Sequence, residues 1–313
     1  MVRDCGGRGV KRCLFVGLST IDVVYLVGDF PKPNTKVVAS SQDIFVGGPA
    51  TNAAVTFAHL GGNALLATVV GSHPLARIIR DEAQLYGIRL VDLNGAFGEL
   101  PPISSIMVAP SGDRTIVSAN ATRIPFISLS VEPSFIEQSS VLLIDGHYMD
   151  ACVAWARAAR TAGVPVIFDG GSWKPGTEDL LEFVHTAICS ASFKPPGCTT
   201  IADVLTFLKH RGIYDIAITD GPNPIAYLYA NKRGLLTVPQ TTPVDTMGAG
   251  DILHGAFCFY VAQGNSFLDA LRLATQIAAA SCTSVGPRAW MSQTASGAEG
   301  HGLVTAENAD DLR

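Results

Sequence analysis

From residue 141 onward, the chain alternates between short apolar runs and helical segments at the spacing of βαβ units. Three of the apolar runs end in the same dipeptide, Asp-Gly, at residues 145–146, 169–170 and 220–221. The carboxyl ends of parallel strands meet at one edge of a sheet, where doubly wound proteins bind their ligands. We therefore predict a mainly parallel sheet with a polar binding rim, although Asp and Gly also end strands for purely conformational reasons.

The composition agrees with a sheet that is covered on both faces. Hydrophobic residues make up 48% of the 313 residues and charged residues only 16%, as expected when helices pack on both sides of a parallel sheet. This length fits one large α/β domain or two small ones. The net charge is −5 and Lys and Arg form no large cluster, which argues against a nucleic acid as partner.

The first half of the chain contains further predicted elements. The sequence predicts strands over 12–18, 36–46 and 65–70, helices over 50–60 and 75–86, and a hairpin over 103–109 and 114–119. The helix over 50–60 has no formally charged side chain, so we expect it to be buried nearly all round. Residues 1–10 are rich in Gly and charge and residues 293–313 are mostly small and polar, so we expect two flexible tails.

The cysteines and the apolar runs indicate the compartment. The chain has seven cysteines, an odd number, without C-x-x-C spacing, so neither a zinc site nor a disulfide framework is indicated. The apolar run 13–27 is interrupted by Asp22 and lacks the cleavage site of a signal peptide. No other run has the length of a membrane span. We expect a cytoplasmic protein without membrane contact.

The segment 244–251, Val-Asp-Thr-Met-Gly-Ala-Gly-Asp, has the composition of an anion-binding turn. Its glycines allow consecutive N–H groups to point into one concavity, and the positive end of a predicted helix over 252–263 points to the same place. Asp251 lies inside this turn, where a carboxylate can accept a proton beside a phosphate. The segment suggests phosphoryl transfer to a hydroxyl group; the alternative is that Asp251 only caps its helix.

Two further places suggest hydrogen bonds to hydroxyl groups. Residues 47–52, Gly-Gly-Pro-Ala-Thr-Asn, combine glycines that allow close approach of a ligand with Asn52, which is both donor and acceptor. Asp22 follows the first predicted strand, and its carboxylate can accept hydrogen bonds from two hydroxyl groups of a polyol. Taken alone, residues 47–52 are better explained as a plain turn before a buried helix, and Asp22 is an ordinary strand-end residue.

Together, these segments resemble the signatures of the ribokinase-like, or PfkB, carbohydrate kinases. Asp-Thr-x-Gly-Ala-Gly-Asp at 245–251 is similar to the C-terminal signature, Gly-Gly-x-x-x-Asn at 47–52 is similar to the N-terminal one, and matching features extend from about residue 13 to about residue 290. The resemblance implies a ribokinase-like three-layer α/β/α fold with a mainly parallel central sheet and a small β-sheet lid. The kinase domain would span 11–292, with lid segments at about 22–47 and 101–120.

The resemblance also assigns roles to individual residues. Asp251 would be the catalytic base, and the N–H groups of Gly248, Ala249 and Gly250 would stabilise the transferring phosphoryl group. The residues expected to contact the sugar are Asp22, Asn34, Gly47, Gly48 and Asn52. The residues expected to contact ATP are Thr219, Gly221, Ala274, Ala278 and Gly286. Both a structural role and a role in ligand binding stay open for Ile106, Val108, Arg114 and Lys174.

The resemblance also implies two kinds of bound cation. Asp245 matches a position that helps to hold a monovalent cation such as K⁺ in several members. Many members organise Mg²⁺ through water with an Asn-x-x-Glu motif, but the corresponding residues here, 189–193, contain no carboxylate. We expect ATP and Mg²⁺ still to be required, with the metal held chiefly by the phosphates and Asp169 taking part through water.

The activity that these features predict is ATP-dependent phosphorylation of a primary hydroxyl group of a monosaccharide. A nucleoside kinase is the nearest alternative, but such enzymes need a slot for the base, and no clear stacking pair lies near Asp22 or Asn34. A non-catalytic sugar- or nucleotide-binding regulatory protein is the alternative of another class, and the intact Asp251 argues against it. Because the lids of this family often pair, we also expect a homodimer formed through the lid.

Overall fold

The computed structural model of the protein describes residues 11–111, 113–119, 121, 124 and 131–292. The predicted flexible tails, 1–10 and 293–313, lie outside the described residues, as do positions 112 and 120 of the second predicted lid segment. Within the described residues, the strands form two sheets, a large sheet of nine strands and a small sheet of four.

The large sheet is built from strands that mostly alternate with helices along the chain. Its strands are β1 (Arg12–Val16), β4 (Asn63–Thr68), β5 (Arg89–Asp92), β8 (Val141–Ile144), β9 (Val166–Gly170), β10 (Thr186–Ser190), β11 (Asp215–Asp220), β12 (Asn223–Tyr229) and β13 (Lys232–Leu236). The helices are α1 (Pro49–His59), α2 (Ala76–Leu85), α3 (Pro133–Glu137), α4 (Met149–Thr161), α5 (Thr177–Leu181), α6 (Ile201–His210), α7 (Ala249–Ala262) and α8 (Phe267–Ser281). The strand order is β13-β12-β11-β10-β9-β8-β1-β4-β5. Strand β12 pairs antiparallel with both β11 and β13, and all other neighbours pair in parallel.

Helices cover the large sheet on both faces. Along β1, the side chains of Leu14 and Val16 pack in an apolar core with α3, α4, α5 and α6, whereas those of Cys13 and Phe15 pack in a second core with α1, α7 and α8. This alternation follows from the two-residue period of a strand, which sends successive side chains to opposite faces. The predicted three-layer α/β/α fold with a mainly parallel central sheet is confirmed.

Helix α1 confirms the prediction drawn from its lack of charged residues. Every residue from 50 to 57 is buried, and the helix packs against α7 and against strands β1 and β4. A side-chain hydrogen bond joins Asn52, in the first turn of α1, to Asp251, in the first turn of α7. The packing of these two helices therefore brings the two sequence signatures together.

The four described strands of the small sheet come from two separate parts of the chain. They are β2 (Thr20–Leu26), β3 (Ser41–Gly47), β6 (Ile103–Val108) and β7 (Arg114–Ser118), in the order β3-β2-β6-β7. Strands β2 and β6 pair in parallel, and the two outer pairs are antiparallel. The predicted hairpin is β6 with β7. The strand predicted over 36–46 is shorter than expected, because it begins only at Ser41.

The carboxyl ends of the parallel strands meet at one edge of the large sheet, as predicted from the Asp-Gly endings. Asp145 directly follows β8 and Asp169 lies near the end of β9, and both side chains are buried. The small sheet adjoins this edge, because β2 begins four residues after β1 ends. In the described part of the chain, no helix is both long enough and apolar enough to cross a membrane.

Candidate active site

Two clefts open at the carboxyl edge of the large sheet and meet at the turn before α7. The larger cleft, of about 740 Å³, lies between the small sheet and this turn. The residues that the small sheet contributes to it include Thr20, Asp22, Ser104, Ile106 and Arg114. The smaller cleft, of about 250 Å³, lies between the end of β11 and helix α8, and its lining includes Thr219, Gly221, Ala278 and Cys282.

The turn at 246–251 is the wall that the two clefts share. Gly248 and Asp251 line the larger cleft, Ala249 and Gly250 line the smaller one, and Thr246 lines both. Groups bound in the two clefts therefore meet at this turn. A reaction between a molecule in the larger cleft and a molecule in the smaller cleft would take place beside Asp251.

The backbone of this turn suits an anion. Gly248 precedes the first residue of α7 with φ of +71°, a left-handed conformation that favours glycine. The first N–H groups of α7 have no carbonyl partner within the helix, and the helix dipole adds positive potential at the same point. Asp245 fixes the turn: its Oδ1 accepts from the Met247 N–H at 2.9 Å and its Oδ2 from the Gly286 N–H at 2.8 Å.

Asp251 is placed to exchange a proton with a group in the larger cleft. It is half-buried at the start of α7, and its Oδ2 accepts a hydrogen bond of 2.7 Å from Asn52 Nδ2. Burial, together with the charge of the nearby Asp169, raises the pKa of Asp251 to about 7. A carboxyl group with this pKa is a suitable general base near neutral pH.

Asp169 lies behind the turn and lines neither cleft. Its Oδ2 has no hydrogen-bond partner, although His254 Nδ1 lies 3.5 Å away. Burial raises the pKa of Asp169. Within the described residues, no three His, Cys, Asp or Glu side chains are grouped closely enough to hold a metal ion. The described residues thus form no cluster of three such ligands, which fits a metal held mainly by phosphate oxygens and water.

Asp22 and Gly48, two of the residues expected to contact a sugar, line the larger cleft. Asp22 on β2 accepts a hydrogen bond of 2.8 Å from Thr20 Oγ1, and burial raises the pKa of its carboxyl group. Gly48, which precedes α1, has φ of +96°, and a Cβ there would lie 2.3 Å from the carbonyl oxygen of Leu18. Gly48 therefore cannot be replaced without moving the segment between β1 and β2, and its backbone lines the cleft.

Asp145 anchors the loops on this side. Its carboxylate accepts hydrogen bonds from the N–H groups of Leu18 at 2.8 Å, Ala50 at 3.2 Å and His147 at 2.8 Å. Although burial opposes ionisation, the neighbouring His147 and these N–H groups hold the pKa of Asp145 below its usual value. One buried carboxylate thus fixes the segment after β1, the start of α1 and the segment after β8 relative to each other.

Most of the predicted site residues lie on or beside the two clefts, whereas Asn34 and Ala274 do not, and Asp169 lies behind the turn. Asp22, Gly48, Asn52, Gly248 and Asp251 line the larger cleft, and Thr219, Gly221, Ala249, Gly250 and Ala278 line the smaller one. Gly47 ends β3 beside the larger cleft, and Gly286 binds Asp245 through its N–H group. Asn34 instead lies in the exposed segment between β2 and β3, and it does not line the larger cleft. Ala274 is fully buried in the core one helical turn before Ala278, so it does not reach the smaller cleft.

The structure adds residues that sequence reasoning missed or left open. Thr20, Ser104, Ser118, His147 and Met247 line the larger cleft without having been predicted. The alternation in the hairpin was a usable signal, because positions 104 and 106 of a strand share one face. Ile106, which was left open, lines the cleft.

Arg114 joins the small sheet to the turn before α7. Its Nη2 donates a hydrogen bond of 2.5 Å to Thr246 Oγ1, and its Nη1 lies 3.7 Å from Asp245 Oδ1. The guanidinium group of Arg114 thus places a positive charge on the wall of the larger cleft, at the point where the two clefts meet.

Known proteins share this architecture over almost the whole chain. A family model described as pfkB family carbohydrate kinase matches residues 10–295. The ribokinase of Bacillus subtilis (strain 168) is 25% identical over 291 residues, which cover 90% of this chain and 96% of that protein. The aminoimidazole riboside kinase of Salmonella typhimurium is 25% identical over 278 residues, which cover 81% of this chain and 85% of that protein. Among solved structures, a candidate ribokinase from Agrobacterium tumefaciens has a TM-score of 0.82 and 28% identity, with 93% of this chain and 98% of that chain covered.

Proposed function

Because the chain belongs to the pfkB family of carbohydrate kinases and is an ATP-dependent carbohydrate kinase, we propose that its acceptor is a primary hydroxyl group of a monosaccharide. The observation that carries this proposal is the shared wall between the clefts. Asp251 faces the larger cleft, while Ala249 and Gly250 face the smaller one. The sugar would occupy the larger cleft and ATP the smaller cleft, with the transferring phosphoryl group at the turn.

The reaction follows from the groups at this wall. The acceptor hydroxyl oxygen forms a bond to the γ-phosphorus of ATP, the bond from that phosphorus to the bridging oxygen breaks, and ADP leaves. Asp251 takes the proton of the hydroxyl group. The N–H groups of Gly248, Ala249 and Gly250 stabilise the charge on the transferring phosphoryl oxygens.

Residues of the larger cleft would orient the sugar. Asp22 retains acceptor capacity beyond its bond to Thr20, and Asn52 keeps one amide hydrogen after its bond to Asp251. The backbone of Gly48 allows the sugar to approach closely. The small sheet would act as a lid over this cleft, and by excluding water it would prevent hydrolysis of ATP.

Each cation has one proposed protein ligand. Mg²⁺ would be held chiefly by the phosphates of ATP, with Asp169 acting through water, and would neutralise phosphate charge. Asp245 is the proposed ligand of a monovalent cation such as K⁺. The alternative is that Arg114, which already places one positive charge beside Asp245 Oδ1, makes a bound cation unnecessary. Exchange of K⁺ for choline in the assay distinguishes the two. An unchanged rate would leave Asp245 as a hydrogen-bond acceptor only.

A nucleoside is the second candidate acceptor, because one similar protein is an aminoimidazole riboside kinase. The described lining of the larger cleft contains no Phe, Tyr or Trp side chain that could stack on a base. The large apolar residues of this lining are aliphatic: Leu18, Pro49, Ile106, Ile116 and Met247. This composition supports a monosaccharide over a nucleoside.

Two further parts of the proposal concern assembly and location. Ile44 and Val117 of the small sheet are 54% and 64% exposed, and apolar surface of this kind supports a homodimer through the lid. Light scattering of the purified protein measures its mass and decides between monomer and dimer. The cytoplasmic location stays a prediction, which cell fractionation tests.

The central experiment is a screen of ADP release from ATP against single acceptors. The panel contains D-ribose, 2-deoxy-D-ribose, D-fructose, D-glucose, adenosine and inosine, and a reaction without acceptor gives the basal hydrolysis. We expect a monosaccharide to raise ADP release far above this basal rate. Higher kcat/KM for a nucleoside than for every sugar would replace the monosaccharide proposal with the nucleoside one.

A further inference from the structure

Arg288 is buried next to the proposed site, but it lines neither cleft. It lies in the segment after α8, and its side chain is only 12% exposed. Nε and Nη2 contact Glu82 Oε1 of α2 at 2.9 and 2.8 Å, Nη2 also donates to the carbonyl oxygen of Val46 at 2.9 Å, and Nη1 donates to Asn52 Oδ1 at 2.8 Å. One guanidinium group therefore joins α2, the end of β3 and the first turn of α1.

The contact with Asn52 fixes how that side chain is oriented. A guanidinium group only donates hydrogen bonds, so the amide oxygen of Asn52 must face Arg288. The amide nitrogen must then face the other way, where it donates to Asp251 Oδ2 at 2.7 Å. The rotated amide would place its oxygen against the Asp251 carboxylate and its NH₂ group against the guanidinium, and both contacts would be repulsive.

The same amide nitrogen also lies close to the anion-binding turn. A Cβ on Gly248 would be 3.3 Å from Asn52 Nδ2 and 3.4 Å from the Cβ of Pro287, the residue before Arg288. The segment containing Arg288, the Asn52 amide and the turn are therefore packed against one another. A shift of Asn52 would therefore change its contacts with both Asp251 and Gly248.

We infer that Arg288 is a positioning residue for phosphoryl transfer, which holds Asn52 in the orientation that aligns Asp251 with the acceptor hydroxyl. This inference rests on the proposed role of Asp251 as the proton acceptor. Arg288 acts through Asn52 and does not touch either substrate. The competing explanation is that Arg288 only stabilises the fold through its ion pair with Glu82.

The first test compares substitutions at the two ends of this network. Arg288→Met removes every donor and keeps most of the side-chain length, Arg288→Lys keeps a charge and one donor direction, and Glu82→Gln removes the ion pair while leaving the Asn52 contact. Turnover is measured as ADP release with the panel acceptor of highest kcat, and binding of a non-hydrolysable ATP analogue by calorimetry shows that each variant is folded.

We expect kcat of Arg288→Met to fall about tenfold to a hundredfold, because a misplacement of about 1 Å at the reacting groups can cost up to about a hundredfold in rate. The KM for ATP should stay within about threefold, Arg288→Lys should recover part of kcat, and Glu82→Gln should keep kcat within about threefold. Equal losses of kcat in Glu82→Gln and Arg288→Met would overturn the inference, as would full turnover in Arg288→Met.

A double-mutant cycle with Asn52→Leu tests whether Arg288 acts through Asn52. We expect Arg288→Met/Asn52→Leu to be no more than about threefold slower than Asn52→Leu alone, whereas multiplied losses would overturn the inference. The variant Asp251→Asn distinguishes a failure of the inference about Arg288 from a failure of the proposed function. Normal turnover in Asp251→Asn refutes Asp251 as the base, while an inactive Asp251→Asn with multiplied losses in the cycle refutes only the role of Arg288.

A crystal structure of Arg288→Met gives a result that needs no acceptor. We expect the separation of Asn52 Nδ2 and Asp251 Oδ2 to exceed hydrogen-bond distance, or the amide to be rotated. If the contact is kept at its present 2.7 Å, the orientation of Asn52 does not depend on Arg288.

Discussion

Substitution of Asp251 by Asn tests the proton acceptor with little disturbance of its surroundings. The two side chains have nearly the same size and shape, but an amide cannot accept a proton at neutral pH. Asn52 Nδ2, which now donates to Asp251 Oδ2 at 2.7 Å, would donate to the amide oxygen of the new residue. The substitution therefore removes the proposed base while keeping the hydrogen bond that orients its side chain.

The expected loss follows from the role assigned to this carboxylate. General-base catalysis contributes about 10²- to 10⁴-fold to a rate, which corresponds to about 3–5 kcal/mol in the activation free energy. We expect kcat of Asp251→Asn to fall by this factor. The KM values for ATP and acceptor should stay within about threefold, because Asp251 acts on the hydroxyl proton that moves only in the reaction.

The same substitution should change the dependence of stability on pH. The pKa of Asp251 is about 7 in the folded protein and about 4 in an unfolded chain. Between these values the folded state binds more protons, so its stability falls as pH rises, and the loss is complete above pH 7. Asp251→Asn lacks this loss. Its melting temperature relative to the wild type should therefore be higher at pH 8 than at pH 5.

The assay couples ADP release to NADH oxidation, with single-turnover measurements to separate the chemical step from product release. Thermal melts at pH 5 and pH 8 give the second readout. A kcat for Asp251→Asn within threefold of the wild type would refute the assignment of Asp251 as the proton acceptor. A fall in kcat with a lower melting temperature at both pH values would show instead that the variant is damaged in its fold.

Three further predictions concern the same site. The kcat/KM of the wild type should rise with pH up to about 7 and then level off, because Asp251 must be deprotonated; a flat profile from pH 5.5 to 8 would contradict this. Gly248→Ala should lower stability by about 1–2 kcal/mol in urea unfolding, because φ is +71° there, and should also lower kcat; Gly264→Ala (φ +93°) outside the clefts is the control for strain alone. Asp22→Asn should raise the acceptor KM about tenfold or more while kcat changes less, since a hydrogen bond to a charged group is lost; an unchanged KM would remove Asp22 from the sugar site.

Local sequence patterns predicted the parts of the structure that local physics determines. The apolar runs with Asp-Gly endings correctly marked β8, β9 and β11 and the edge where they end, because a buried strand and its termination are both encoded within a few residues. The glycine turn and Asp251 were found for the same reason. The edge strands β12 and β13 were not predicted: they are joined at Ala230 and Asn231, both with positive φ, rather than by the Asn-Gly or Asp-Gly pair that marks such hairpins.

Properties that depend on distant partners could not be read from the sequence. Arg288 is one of several arginines in the sequence, and its importance follows only from Val46, Asn52 and Glu82, which reach it through the fold. Ala274 and Ala278 are identical in type and lie one turn apart, yet only Ala278 lines the smaller cleft. Whether a small residue on a helix contacts a ligand or the core depends on which part of the helix is covered by the rest of the fold.

The division of the site between two structural units bears on how such kinases acquire new substrates. The residues that would recognise the acceptor come mainly from the small sheet, whereas the proposed proton acceptor and the proposed anion-binding N–H groups belong to residues 248–251, at the start of α7. Substitutions at Ser104, Ile106 or Ile116 can reshape the larger cleft while the turn keeps its geometry. Acceptor preference can therefore diverge in evolution without rebuilding the reaction, and libraries at these strand positions are the natural starting point for redirecting the enzyme to another sugar.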